Sequence, residues 1–246
     1  MKKRAKKKIA IIGCGRFGFL LTQILKEYGE IFVIDKKKVK KDLNQIDHSG
    51  LSDMDWVIFA VPISGMEEAV LESLEFLKPK TLVMDVCSVK TYPLEIFKKH
   101  LPSSIEVLGT HPMFGPDSAK YGLEGLQLIL TPQRISPASL SEVKEIFSEL
   151  ELSLLEMTPE EHDRQIAKSL TLVHYLGRAL SKMDLRGLRV TTLGLERLMA
   201  IDETVSNDSW QLFFDMNHYN PYTEQVRQNL RDILEDLENK IKKEEK

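Results

Sequence analysis

Three glycines do most to limit what this chain can fold into. They stand in the run Gly13-Cys-Gly15-Arg-Phe-Gly18, after the apolar stretch Lys8–Gly13 (KIAIIG) and before a helical pattern. Each has a separate physical task in a strand–turn–helix: the first permits a tight turn, the second lets backbone approach a pyrophosphate, and the third allows close helix–strand packing. The helix N-terminus that follows offers amide groups and positive dipole to phosphate. Asp35 ends the next apolar run, 22 residues after Gly13, where a carboxylate accepts hydrogen bonds from an adenosine ribose. That carboxylate repels a 2′-phosphate and favours NAD, although Lys36, Lys37 and Lys38 follow and keep NADP possible. Arg16 and Phe17 in the turn, and Val61 and Pro62 at the end of a later apolar run, are further expected cofactor contacts.

The first half repeats the alternation that starts here. Apolar runs at Glu30–Asp35, Asp55–Pro62, Thr81–Ser88, Ile105–Pro112, Leu126–Pro132 and Leu152–Thr158 alternate with helix-period segments, the pattern of a Rossmann-type parallel sheet. At Thr158 the character changes. Thr-Pro-Glu-Glu supplies a cap, a proline at the first helical position and an acid three residues after the cap. Ile166, Leu170, Val173, Gly177 and Leu180 then recur at three- and four-residue spacing, the expected buried face of a long helix. Leu212–Phe214 continues a helical pattern rather than a strand. These signals predict an α/β fold with a dinucleotide-binding domain over 1–157, its first seven residues a basic tail, and an all-helical domain over 158–246.

Charge and composition exclude several other classes. The leader MKKRAKKK holds six of the 34 basic residues, so the remainder carries 28 basic against 37 acidic side chains and is a poor nucleic-acid binder. The leader is followed by too short an apolar stretch, interrupted at Arg16, for a signal peptide. The longest apolar run, Trp56–Ile63, is far shorter than the roughly 18 residues of a membrane span. Cys14 and Cys87, the two cysteines, form neither a metal-binding spacing nor a disulfide framework, so a reduced, cytoplasmic protein without a metal is expected. Both thiols read as small fillers near the cofactor crevice.

In an open α/β sheet, reacting groups gather outside the carboxyl ends of the strands. Ala60–Ile63, Asp85–Lys90 and Gly109–Pro116 all arrive there. His111, followed by proline, is held in extended backbone at such a strand end; it reads equally as a structural histidine or as a base placed beside a nicotinamide.

The glycine turn, Val61-Pro62, Ser88-Val-Lys90, Thr110-His-Pro-Met-Phe-Gly-Pro116, His162-Asp163 and His174 together resemble the prephenate/arogenate dehydrogenases of tyrosine biosynthesis. The resemblance covers roughly residues 8–220, and the Thr-His-Pro-Met-Phe-Gly-Pro segment is its most specific part. It implies a helical dimerisation domain, a homodimer, and NAD(P)-dependent oxidative decarboxylation of a small-molecule substrate. By position, His111 matches the histidine that hydrogen-bonds the substrate's ring hydroxyl, and Ser88 the serine that orients that histidine and the hydroxyl. His174 matches a histidine near the substrate. Arg197, in Gly194-Leu-Glu-Arg197, aligns with an arginine used on the substrate, with Arg178 competing for the role. His162 and Asp163, in the first turn of a helix, read as structural, and His48, His100 and His218 as surface residues. Thr191 stands where plant-type members place an acid, which favours prephenate over arogenate; Asp202 or Asp215 would reverse that preference. Some relatives carry an appended mutase or regulatory domain, and the chain length predicts neither here. Another small-acid or imine oxidoreductase with the same two domains is the competing enzyme reading, and a non-catalytic NAD(H) sensor the competing binding reading.

Overall fold

The computed structural model describes residues 6–183, 185 and 187–244. The first five residues of the basic tail lie outside them. The chain forms two compact units, one running to His162 and the other from Asp163 onward.

The first unit is an eight-stranded sheet in the order β3-β2-β1-β4-β5-β6-β7-β8. Its elements are β1 (Lys7–Ile12), α1 (Arg16–Leu25), β2 (Gly29–Ile34), β3 (Asn44–Gln45), β4 (Trp56–Phe59), α2 (Met66–Ser73), β5 (Leu82–Asp85), α3 (Thr91–His100), β6 (Glu106–Pro112), α4 (Pro116–Ala119), β7 (Gln127–Arg134), α5 (Pro137–Glu149) and β8 (Ser153–Glu156). All seven expected apolar runs become strands. Ile9, Ile11, Val57, Phe59, Val83 and Leu108 in the central strands are fully or almost fully buried, which is why those runs lack alternation, whereas the edge strand β8 is largely exposed. The two-residue edge strand β3 is polar and exposed, so no hydrophobic signal announced it.

β1 pairs with β2 on one side and β4 on the other, so strand order reverses beside it, and the glycine turn leaves β1 at that switch point. One pair departs from the parallel expectation: β6 and β7 are antiparallel. The connection between them holds only the one-turn helix α4, too little to form the usual crossover helix of a parallel pair.

The second helical stretch begins with α6 (Pro159–Ile166), followed by a π-turn at Ala167–Thr171, α7 (Leu172–Leu180), α8 (Leu193–Ser206), α9 (Trp210–Tyr219) and α10 (Thr223–Glu244). Thr158 Oγ1 accepts from the Glu161 amide at 3.1 Å, while Glu161 returns a carboxylate oxygen to the Thr158 amide at 3.4 Å. This is the reciprocal cap that the residues promised. The break between compact units falls inside α6, five residues past the expected cut near 157. The first turns of α6 belong with the sheet because His162 packs against a strand residue.

The π-turn also moves the buried face. An inserted residue rotates everything after it by one position. Thr171 and His174 are buried beside Gly177, which was expected inside, while Val173, also expected inside, is 37% exposed. Gly177 is required here, since a Cβ would overlap the Val205 side chain at 2.5 Å from Cγ2. Among the described residues no strand follows Glu156, and no helix is long and apolar enough to cross a membrane.

Candidate active site

The three glycines divide their tasks as the spacing requires. Gly13 sits at φ +95, and a Cβ there would lie 2.6 Å from the Ala60 carbonyl oxygen. A Cβ on Gly18 would overlap the Gly13 carbonyl, so this glycine lets α1 pack onto the turn. At Gly15 nothing lies within 4 Å of that position, which leaves the backbone open to a ligand. No side chain caps the α1 N-terminus.

Asp35 follows β2 and braces the turn: its two carboxylate oxygens accept from the Cys14 and Lys37 amides, each at 2.7 Å. Each oxygen keeps further lone-pair capacity for a ribose hydroxyl. Arg16 forms an ion pair with Asp117 at 2.8 Å, and the Phe17 ring lies 6.2 Å from that of Phe114, both partners belonging to the β6–β7 connection. Val61 is half-buried against Gly13, and Pro62 is exposed at the start of a short 3-10 turn. These groups fit a dinucleotide at the glycine turn.

Cys14 is partly buried, and burial, then the Asp35 carboxylate, push its thiol pKa up, so it is not an activated thiolate. Cys87 is buried beneath the end of β5.

His111 lies in β6, almost fully buried. Its Nδ1 is 2.8 Å from His162 Nε2, with the two rings edge to face. Burial above all, then His162 and the Lys90 ammonium, hold its pKa well below 6.5, so the ring is neutral.

The loop Asp85–Lys90 is stapled to β6 from beneath. Lys90, fully buried, is ion-paired with Asp85 and donates to the Thr110 carbonyl at 2.6 Å, one residue before His111. Thr110 Oγ1 in turn donates to the Asp85 carbonyl. A buried ammonium with these partners fixes the register of two strand ends where the chemistry is expected.

Ser88 does not reach His111. Its hydroxyl is buried and makes no hydrogen bond among the described residues, to His111 or otherwise. The ring is oriented instead by His162, which the first-turn location had marked as merely structural. The signal was present in the sequence: His162 precedes Ile166 by four residues and shares its inward face. Lys90 was hidden because a lysine is almost never fully buried.

In the helical unit His174 is buried on α7, with Nε2 3.5 Å from Asp208 Oδ2 and Nδ1 lacking a partner among the described residues. Burial, chiefly, and Arg178 lower its pKa, against an upward pull from Asp208. Arg178 donates to the Asp208 carbonyl and lies over the Trp210 ring, its guanidinium carbon 4.4 Å from the centroid. Arg197, on α8, is exposed. Asp202 and Asp215 are buried and hydrogen-bonded by Ser206 at 3.0 Å and Gln211 at 2.7 Å. His48 and His100 are partly buried beside Glu72 and Glu67, rather than free at the surface as expected; His218 is exposed.

Residues 28–155, just over half of the chain, match the family described as prephenate dehydrogenase, nucleotide-binding domain. The chain belongs to the prephenate dehydrogenase family. Residues 179–246 match a second description, TYRAAT1-like, C-terminal domain. Among curated relatives, arogenate dehydrogenase 2 of Arabidopsis thaliana, a chloroplastic protein, is 32% identical over 236 residues, covering 89% of this chain and 66% of that protein. Arogenate dehydrogenase 1 of the same plant is 31% identical, covering 95% of this chain and 39% of that one. The chain therefore spans about two-thirds and two-fifths of these relatives. A solved prephenate dehydrogenase from A. aeolicus, in complex with hydroxyphenyl propionate and NAD+, superposes with TM-score 0.80 over 99% of this chain and 93% of that one; at 20% identity the likeness is one of fold.

Proposed function

We propose that this member of the prephenate dehydrogenase family is an NAD-dependent enzyme that oxidatively decarboxylates prephenate or arogenate, a step toward tyrosine. The observation that carries the reading is a neutral, buried His111 at the end of β6, in the same unit as a glycine turn built for a dinucleotide. NAD leads because Asp35 follows β2, and NADP stays accessible through the neighbouring Lys37 and Lys38.

The chemistry balances without a metal or external base. His111 takes a hydrogen bond from the ring C4 hydroxyl and draws its proton as C4 gives a hydride to the nicotinamide. The ring carboxylate leaves as CO₂, its bonding electrons complete the aromatic ring, and the proton returns to the phenol oxygen. Aromatisation supplies the driving force, so the protein's main work is alignment. Ser88, with a buried unpartnered hydroxyl, is assigned to the same substrate hydroxyl. His174 is assigned to the remaining substrate groups, and either Arg178 or Arg197 to a carboxylate.

Two substrates remain in the reading, each favoured by one observation. Thr191, where plant-type members place an acid, supports prephenate; the two plant relatives, named as arogenate dehydrogenases, support arogenate. We also assign a homodimer formed through the helical unit, supported by its exposed Trp210, Phe214, Leu193 and Leu198. A cytoplasmic location fits two cysteines without a disulfide. The test is to incubate the pure protein with prephenate or arogenate and NAD or NADP, following reduced nicotinamide. Turnover is expected with at least one pair, and none with all four overturns the assignment.

A further inference from the structure

His111 Nδ1 and His162 Nε2 touch at 2.8 Å, a contact that one proton bridges. If His162 donates it, His111 must carry its own proton on Nε2, and that nitrogen can only donate. If His111 donates it, Nε2 of His111 is a bare lone pair. We propose that His162 is a positioning residue that accepts from His111 Nδ1–H and so locks His111 in the tautomer whose Nε2 can take a proton from a substrate hydroxyl. The inference rests on the reaction proposed above, and it names the residue that makes His111 a base rather than a donor.

The surroundings favour a neutral pair. The charged and titratable groups that act on His111 are His162 from α6 and the buried ammonium of Lys90 from the loop after β5, whose ion partner is Asp85. A second proton on His111 would place an imidazolium near that ammonium in a buried setting, which is unfavourable. The pair is thus held at one shared proton, and its direction is the only variable left. His162 stands in the first turns of α6, where the helix dipole further disfavours an added positive charge and suits an acceptor nitrogen. Its amide donates to the Thr158 carbonyl at 3.0 Å, inside the reciprocal cap that fixes the start of α6, so the ring is carried on a pinned turn. Ser88 does not compete, since its hydroxyl makes no bond to His111.

The decisive measurement is a long-range ¹H–¹⁵N correlation spectrum of the full chain, labelled at histidine and saturated with NAD. His111 in the Nδ1–H form is expected; an Nε2–H form overturns the proposal. This readout needs no turnover, so it stands even if every substrate pair fails, which would sink the reaction but not the tautomer assignment. A kinetic arm adds the consequence. His162→Leu should lower kcat by about tenfold to a hundredfold while KM and NAD affinity change less than about twofold. His162→Gln, whose carbonyl oxygen can replace Nε2 as acceptor, should restore most of the loss. Equal activity in wild type and His162→Leu, or no recovery in a folded His162→Gln, would also overturn it.

Discussion

The sheet unit and the helical unit bury different kinds of residue. In the first, Ile9, Ala10 and Ile11 of β1 and Val33, Val57 and Val83 of β2, β4 and β5 have no exposed surface. In the second, much of the buried set is polar, including Thr171, His174, Asp202, Asp215 and Asn220, while Val190 is 82% exposed and Leu193 62%. A sheet covered on both faces closes its own core. The helical unit instead buries polar groups and turns apolar side chains outward, where the proposed dimer would cover them. The difference separates the units by what they bury: continuous apolar strands in one, polar side chains with apolar ones left outside in the other.

The sharpest way to break the comparison is to remove the base assigned to the sheet unit. His111→Asn should lower kcat by roughly 10²–10⁴-fold with NAD affinity unchanged, measured by steady-state kinetics and cofactor titration. If activity survives, the reacting group lies elsewhere.

A paired glycine experiment asks whether the turn is rigid by necessity. Gly18→Ala drives a methyl into the Gly13 carbonyl and should destabilise the unit by about 1–3 kcal/mol, with loss of NAD binding. Gly15→Ala meets nothing within 4 Å and should leave the melting temperature unchanged while weakening NAD alone. Equal melting temperatures for both variants would refute the division of tasks between the two glycines.

The helical unit is tested at its surface. Phe214, 56% exposed beside Trp210, should be covered in a dimer. Phe214→Asp should forfeit about 1.5–3 kcal/mol of burial per subunit and shift sedimentation from dimer toward monomer. A wild-type monomer at micromolar concentration would end the dimer assignment.

The smallest effect is on pH. His111 and His174 are both held below 6.5, so between their folded and unfolded pKa values the unfolded chain binds more protons. Stability should therefore be flat above neutral pH and fall as pH drops below about 6.5. The fall should be at most about 1.4 kcal/mol per histidine per pH unit. Urea midpoints at two pH values read it, and a rise on acidification would show that the histidines are charged in the native state.

The glycine run, Asp35 and seven apolar stretches made the sheet unit legible from residues alone, because strands buried on both faces must be continuously apolar and a strand–turn–helix must place glycine where φ is positive or a Cβ would collide. The reciprocal cap at Thr158–Glu161 was equally local. His111 was found from its strand-end position. Its partner was not, because the contact between His111 and His162 joins residues 51 positions apart, and no spacing rule reaches that far. The burial of Lys90 likewise shows only when Asp85 and the Thr110 carbonyl are seen around it. The antiparallel β6–β7 pair and the π-turn that exchanges Val173 for His174 on the buried face depend on how whole elements pack. Local steric rules and hydrophobic period act over a few residues and can be read in order along the chain. Partner choice for a buried polar group is decided only when distant segments meet, since that is when its lost hydration must be replaced.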